Sequence, residues 1–130
     1  MDIAKNKTIV SRFFTLLNEQ KMNEAFDLFH EDLNWWILGN IPISGNYDKR
    51  KISLGLKMLH RNFSDYIFSP STMTAEEDRV SILLESHAMK KSNQKKYNNH
   101  FHFLFTLKDD KIISVREFFD TVHVLWIEEP

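Results

Sequence analysis

The 130-residue sequence contains no cysteine and only three glycines and three prolines. Without cysteine the chain has no disulfide, no thiolate metal ligand and no cysteine nucleophile. Its 17 lysines and arginines are balanced by 18 aspartates and glutamates, which gives a formal net charge of −1. A chain with this balance has no electrostatic drive toward nucleic acid or an anionic membrane surface. We therefore expect neither as a partner.

Long apolar runs are also missing. No segment is long enough to span a bilayer, and Asp2, Lys5 and Lys7 interrupt the N-terminus where a signal peptide needs an apolar stretch. These absences predict a cytoplasmic protein. Hydrophobic residues make up 42% of the chain, and at this length they can form the core of one domain covering residues 1–130.

Aromatic residues are plentiful, with 11 phenylalanines and three tryptophans, and many of them fall in residues 98–121. This stretch predicts two β-strands, from about Tyr97 to Leu107 and from Lys111 to Phe119. Lys108-Asp109-Asp110 is the predicted turn. Aromatic side chains on such a hairpin suit both a core and the wall of an apolar pocket.

The predicted turn fixes which residues face each other. Aspartate tolerates the left-handed conformation, so Asp110 can occupy the bulge position of a three-residue loop. With that loop, Phe101 lies opposite Glu117 on the neighbouring strand. The other facing pairs are Leu107 with Lys111, Phe105 with Ile113, and Phe103 with Val115. Glu117 then lies on an otherwise apolar face. A two-residue turn would place Arg116 there instead.

Helices are predicted before this hairpin and strands around it. The expected elements are a first helix ending near Asn18, a short second helix carrying Met22, Ala25, Phe26 and Phe29, a strand from Leu33 to Leu38, a third helix capped by Asp48, strands from Tyr66 to Thr74 and from Val80 to Met89, and a C-terminal helix from Thr121 to Trp126 capped by Asp120. This order predicts an α+β fold, in which a curved antiparallel or mixed sheet wraps around the N-terminal helices. The result is a cone with one apolar cavity.

The closing hairpin resembles that of the SnoaL-like group in the nuclear-transport-factor-2-like superfamily. The residues that carry the resemblance are Tyr97-Asn98-Asn99, the Phe-rich strand, Asp109-Asp110-Lys111-Ile112 and Val115 to Thr121. Asp110 stands where the family usually has glycine. The resemblance covers nearly the whole chain and implies the cone fold. The superfamily contains isomerases, epoxide hydrolases, polyketide cyclases, dehydratases and binding proteins, so the fold alone does not give the function.

Ketosteroid isomerases of this superfamily need a tyrosine, a carboxylate base and an acid at three places. The matching residues here are Phe13, Trp36 or Ile37, and Phe103. None of them can supply that chemistry, so the resemblance argues against a ketosteroid isomerase.

Epoxide hydrolases and polyketide cyclases of the superfamily place an essential aspartate on the last strand, where this chain has Glu117. The hydrolases add an arginine and an aspartate from an earlier strand, where this chain has Glu85 and His87. The resemblance therefore implies Glu117 as general acid or base, with Glu85 and His87 as its partners. The alternative is an ion-paired Glu117, held by Arg116, His87 or His102, and a solvated strand face at Glu85 and His87.

The predicted function is binding of a small, mostly apolar molecule, extended by acid–base catalysis of isomerase, hydrolase or cyclase type at Glu117. The residues expected to contact the ligand are Phe13, Trp36, Phe101, Phe103, Val115 and Phe119. The alternative is a non-catalytic binding domain or a dimeric interaction domain, so whether the chain is an enzyme stays open. Because both faces of the last two strands are apolar, we also expect a homodimer. His100 and His102 share a strand face without a third ligand at recognisable spacing, so no metal or other cofactor is expected.

Overall fold

The structure is a computed structural model that describes residues 2–130. Within these residues, helices and strands follow one another as α1 (Ile3–Asn18), α2 (Met22–Phe26), β1 (Phe29–Ile37), β2 (Gly45–Tyr47), α3 (Lys49–Asn62), β3 (Phe63–Glu76), β4 (Arg79–Lys90), β5 (Lys96–Tyr97), β6 (His100–Lys108), β7 (Lys111–Phe119) and α4 (Thr121–Glu128). The second helix is shorter than predicted, because Phe29 opens β1 and is buried there. Helix α3 ends at Asn62, and the next residue, the buried Phe63, begins β3.

The strands form one open mixed sheet in the order β2-β1-β7-β6-β4-β3, with β5 paired to β4. β1 and β7 run parallel, and the remaining pairs are antiparallel. The sheet is curved, and α1 packs against its inner face through Phe13 and Phe14, which contact the rings of Phe103 and Phe105. This architecture confirms the predicted α+β fold with helices inside a curved mixed sheet.

Side-chain caps fix the ends of three helices. Asp2, Asp48 and Asp120 accept hydrogen bonds of 2.9, 2.8 and 3.1 Å from backbone N–H groups in the first turns of α1, α3 and α4. The predictions that Asp48 and Asp120 are N-caps are confirmed. Across residues 2–130, no helix has the length and apolar content that crossing a bilayer requires.

The edge strand β3, which contains Pro70, is irregular. Its pairing with β4 shifts between Ser64 and Ile67 and again between Pro70 and Thr72. Asp65 has a φ of 53° at the first shift, which turns Tyr66 toward the core. Edge strands tolerate proline because the missing N–H has no ladder partner to lose.

The β6–β7 hairpin corrects the predicted turn. Only Asp109 and Asp110 lie between the paired Lys108 and Lys111, and both have positive φ, 53° and 60°. This is the geometry of a two-residue type I′ turn and not of a three-residue loop. The pairing moves by two residues relative to the prediction, so Phe103 and not Phe101 lies opposite Glu117.

A bulge restores the predicted face of β7. Leu107 pairs with Ile112 and Thr106 pairs with Ser114, which leaves Ile113 as an extra residue on β7. Because a two-residue turn without this bulge would turn Arg116 inward, the bulge at Ile113 is what keeps Glu117 on the inner face.

Candidate functional site

A cavity of about 90 Å³ lies between the inner face of the sheet, α1 and α3. Its wall is mostly aromatic and consists of Phe14, Leu17, Trp35, Ile43, Leu56, Leu59, Tyr66, Phe68, Tyr97, Phe101, Phe103, Glu117 and Phe119. One water molecule occupies about 30 Å³ of liquid, so the cavity has room for roughly three. It is small beside ligand pockets, which measure about 300–1,000 Å³.

Glu117 is the one acidic residue in this wall. Its Oε1 accepts a 2.7 Å hydrogen bond from the indole Nε1 of Trp35. Within residues 2–130, its other carboxylate oxygen has no hydrogen-bond donor, and no cation is close enough to affect its pKa. The ion-paired alternative for Glu117 is therefore wrong. Of its proposed partners, Arg116 lies over the ring of Trp36 on the outer face of the sheet.

Burial raises the pKa of Glu117 from 4.5 to about 7, and the hydrogen bond from Trp35 opposes part of this shift. A carboxylate loses hydration in an aromatic cavity, and no positive charge within residues 2–130 compensates for the loss. At neutral pH the carboxyl group therefore populates both its protonated and its ionised form. A group in this state can both donate and accept a proton.

Two phenols share the cavity with this carboxyl group. Burial raises the pKa of Tyr66 well above its ordinary value, with smaller contributions from Tyr97 and Glu117. Burial also raises the pKa of Tyr97, although the Asn99 amide, which donates a 3.1 Å hydrogen bond to the Tyr97 hydroxyl, opposes part of the shift. Both hydroxyls stay protonated at neutral pH, so each keeps an O–H that can donate a hydrogen bond.

The structure distributes the predicted ligand contacts over three places. Phe101, Phe103 and Phe119 line the cavity. Phe13 and Val115 are fully buried in the core beside it and are not part of its wall.

Trp36, also predicted as a ligand contact, lies on the outer face of the sheet. Its ring contacts Phe118 at 5.3 Å between centroids. Side chains alternate along β1, so Trp35 and Trp36 point to opposite faces, and Trp35 is the one that lines the cavity.

Glu85 and His87, the predicted catalytic partners of Glu117, also lie on the outer face of the sheet. Val80, Ile82 and Leu84 face the core from the same strand, so the alternating positions at 85 and 87 face outward. Glu85 instead contacts two imidazoles, His100 Nδ1 at 3.1 Å and His87 Nε2 at 3.7 Å. The structure does not bring these residues together with Glu117.

The two histidines of β6 have different partners on this outer face. His100 contacts Glu85, whereas His102 Nε2 is hydrogen-bonded to the hydroxyl of Ser81. Within the part of the chain that the structure describes, no group of three or more histidine, aspartate or glutamate side chains could hold a metal ion.

Besides apolar members of the wall, three residues that bring N–H or O–H groups to it were not predicted as site residues, namely Trp35, Tyr66 and Tyr97. Adjacent residues of a strand face opposite sides, so Trp35 lines the cavity and not Trp36 because the odd-numbered side chains of this part of β1 face inward. Tyr97 could have been predicted, because it belongs to the Tyr97-Asn98-Asn99 motif of the family resemblance. Tyr66 had no such signal, because the irregular backbone at Asp65 decides its direction.

A wider groove of about 630 Å³ runs along α1 beside Met73, with Lys7, Arg12 and Glu19 among its lining residues. It is open to solvent, and its charged side chains are exposed apart from Lys7, which is half-buried. Desolvation cannot perturb acid–base groups in such a place, so we assign the candidate site to the smaller cavity around Glu117.

Comparison with solved structures identifies the class of fold. An NTF2-like protein from Burkholderia xenovorans LB400 is 22% identical, with 99% of each chain covered and a TM-score of 0.84. A putative SnoaL-like polyketide cyclase from Jannaschia sp. CCS1 is 16% identical, with 98% of this chain and 95% of that chain covered and a TM-score of 0.83. TerC, co-crystallized with polyporic acid, is 16% identical, with 95% of this chain and 97% of that chain covered and a TM-score of 0.81. The chain thus has the nuclear-transport-factor-2-like fold.

Within that class the sequence itself gives the family. Residues 10–115 match the SnoaL-like domain, and the chain belongs to the SnoaL-like domain family. A comparison with curated protein sequences finds no match.

Proposed function

We propose that the chain binds a small, mostly apolar molecule in the cavity around Glu117, and that Glu117 transfers a proton to or from it. The observation that carries this proposal is a carboxyl group in an aromatic cavity with one oxygen bound to Trp35 and the other without a donor among residues 2–130. Its pKa of about 7 suits proton transfer near neutral pH.

Each part of the site has a distinct role in this proposal. The aromatic wall receives the apolar body of the ligand, and Trp35 holds Oε1 so that the free oxygen faces the ligand. The hydroxyls of Tyr66 and Tyr97 donate hydrogen bonds to negative charge that develops on a ligand oxygen. This division of roles supports an isomerase, hydrolase or cyclase type of reaction.

Two structural relatives support a small organic ligand. One is a putative SnoaL-like polyketide cyclase, and the other was co-crystallized with polyporic acid.

The test is to titrate Glu117 by carboxyl-carbon NMR in the free protein and with phenol as a small aromatic probe. We expect a midpoint near pH 7 that phenol shifts, and chemical-shift changes at Phe101 and Phe103. Glu117→Gln keeps the fold and the hydrogen bond to Trp35, and we expect it to remove the pH dependence of phenol binding. An ordinary acidic midpoint together with no response to phenol would contradict the proposal.

A second candidate function is a dimeric interaction domain, and the outer face of the sheet favours it. Trp36 and Phe118 contact each other there, and toward the other edge of the sheet Ile67 on β3 and Leu83 on β4 are 39% and 47% exposed. A second copy of the chain would cover these side chains. This function does not require the cavity, so the two proposals are compatible.

A further inference from the structure

Ile43 has an unusual position among the thirteen residues that line the cavity. It is 43% exposed, whereas every other residue of the wall is buried or half-buried. Its side chain therefore has the cavity on one side and solvent on the other. Leu59 on α3 and Phe119 at the end of β7 are half-buried members of the same wall.

The cavity must widen to accept anything larger than a few water molecules, because its volume is about 90 Å³. Most of the wall resists such a change. Phe103 contacts the rings of Phe14 and Phe101, each at 5.4 Å between centroids, and Phe68 contacts Phe14 at 5.3 Å. These rings belong to a sheet and a helix that hold each other in place. The exposed Ile43 has no comparable support.

The segment that carries Ile43 is a β-turn with its own internal hydrogen bonds. The Ser44 N–H donates to the Ile41 carbonyl at 2.9 Å, and the Ser44 hydroxyl accepts from the Ile41 N–H at 3.0 Å. Pro42 occupies the second position of the turn, where its fixed φ is favourable. Such a turn can move as one unit. Its ties to the remaining chain include the Ser44 hydroxyl to Leu38 carbonyl bond and the Tyr47 hydroxyl to Ile43 carbonyl bond.

Glycines flank this turn on both sides. Gly39 has a φ of 96° and Gly45 a φ of 128°, and they are two of the three glycines in the chain. Elsewhere the chain makes its positive-φ positions with Gln, Asp or Glu at φ between 53° and 61°. Values of 96° and 128° lie outside the left-handed region that these residues tolerate, so glycine is required at both flanks. Glycine also gives the backbone the freedom that a hinge uses.

We propose that residues 39–45, which we call the Ile43 turn, form a gate to the Glu117 cavity, and that Ile43 determines the size of molecule that reaches Glu117. The proposal rests on the proposed function only in taking the Glu117 cavity as the destination. In the closed state, Ile43 completes the wall. In the open state, the turn pivots about Gly39 and Gly45 and gives up its bonds to Leu38 and Tyr47.

Trp35 offers a readout of gate opening that needs no natural ligand. It lines the cavity and is 2% exposed, so a neutral quencher such as acrylamide can reach it only when the cavity opens. The chain has three tryptophans, and replacing Trp36 and Trp126 by phenylalanine leaves Trp35 as the only one. Acrylamide quenching is then measured in this parent and in its Ile43→Ala derivative.

We expect Ile43→Ala to raise the quenching rate constant about threefold or more, because the smaller side chain no longer closes the cavity wall. Ile43→Phe should lower it. Leu54→Ala is the matched control, since Leu54 is an exposed aliphatic residue on α3 that does not line the cavity, and it should leave quenching unchanged. Ile43→Ala should also improve the affinity of 2-naphthol relative to phenol, because the larger ring system can then enter.

Equal quenching in the parent and in Ile43→Ala would overturn the gate. If quenching rises in Ile43→Ala while Glu117 titrates with an ordinary acidic midpoint, the gate is supported and the proposed function fails. If Ile43→Ala raises quenching but Leu54→Ala raises it equally, the effect is a general loosening of the fold, and the assignment of Ile43 is overturned.

Discussion

Trp35 and Glu117 lie on the adjacent parallel strands β1 and β7 and are joined by a hydrogen bond of 2.7 Å from indole Nε1 to Oε1. The bond stabilises the ionised form of Glu117, whereas burial disfavours it. Burial is the larger of the two effects, so the pKa stays well above the ordinary value. The bond also leaves the other carboxylate oxygen as the atom that can meet a ligand.

Replacing Trp35 by phenylalanine should raise the pKa of Glu117 above about 7, because the ionised form loses its hydrogen-bond donor. Carboxyl-carbon NMR measures the change directly. Trp36→Phe is the matched control, since Trp36 lies on the outer face of the sheet and should leave the pKa unchanged. An unchanged pKa in Trp35→Phe would show that the indole does not control the carboxyl group.

Glu117 should make the protein less stable as the pH rises. Its pKa is about 7 in the folded state against an ordinary 4.5, so the protonated folded form is favoured. This stability is fully present below pH 4.5 and is lost as the pH rises through about 7. The shift corresponds to roughly 3 kcal/mol in the free energy of unfolding. Urea unfolding at pH 4.5 and pH 8 should show this decrease in the wild type relative to Glu117→Gln; parallel pH dependence in both proteins would rule it out.

Because of the hydrogen bond to Trp35, two substitutions of Glu117 should differ in stability. Glutamine keeps an acceptor for the indole N–H, whereas leucine leaves this buried donor without one. An unsatisfied buried donor costs about 1–3 kcal/mol, so Glu117→Leu should be less stable than Glu117→Gln by that amount at pH 8. Urea unfolding compares the two variants. If Glu117→Leu is at least as stable, the indole must find another acceptor.

Asp120 should contribute to stability through its cap and not to the chemistry of the cavity. Its carboxylate accepts a 3.1 Å hydrogen bond from the His123 N–H at the start of α4. Asp120→Ala should therefore lower the free energy of unfolding by about 1 kcal/mol, while Asp120→Asn keeps most of it. Carboxyl-carbon NMR on Asp120→Ala should show the same pKa for Glu117 as the wild type, and a large change there would place Asp120 in the site.

The outer face of the sheet should support a homodimer. Phe118→Asp would place a charge beside Trp36 and should convert the dimer to a monomer, as measured by light scattering. Leu54→Asp is the control, because Leu54 is exposed on α3, away from the sheet. A wild-type protein that stays monomeric at high concentration would contradict the prediction.

The alternation of apolar residues along the strands predicted which face each side chain of β6 points to, but it did not predict the residue opposite it on β7. Phe101, Phe103 and Phe105 all face inward, as the alternation on β6 indicated. The turn type was wrong, because two aspartates with positive φ closed the hairpin where a three-residue loop was expected. From Val115 to Phe119 the pairing shifted by two residues, and an even shift keeps these side chains on their predicted face. Before the bulge the prediction was wrong, because Ile112 and not Lys111 or Ile113 is buried on the inner face.

The same alternation on β4 could have excluded Glu85 and His87 as catalytic partners of Glu117. Val80, Ile82 and Leu84 mark the core face of β4, so Glu85 and His87 had to face outward, but the family pattern favoured them as partners of Glu117. The positions of Tyr66 and Ile43 were beyond such reasoning. They depend on an irregular strand and on a turn between glycines, whose geometry comes from contacts with the rest of the fold.

The bulge at Ile113 determines which charged side chain lies inside this protein. Arg116 and Glu117 are adjacent in the sequence and have side chains of opposite charge type. The bulge determines which of the two faces the aromatic rings. Pairing the same sequence without the bulge would exchange an acid for a base in the interior without substituting either one, whereas deleting Ile113 would remove the bulge and still leave Glu117 opposite Phe103. A homologous chain can therefore retain the glutamate and still lose the interior acid if its last two strands pair without the bulge, which an inventory of matching residue types would not reveal.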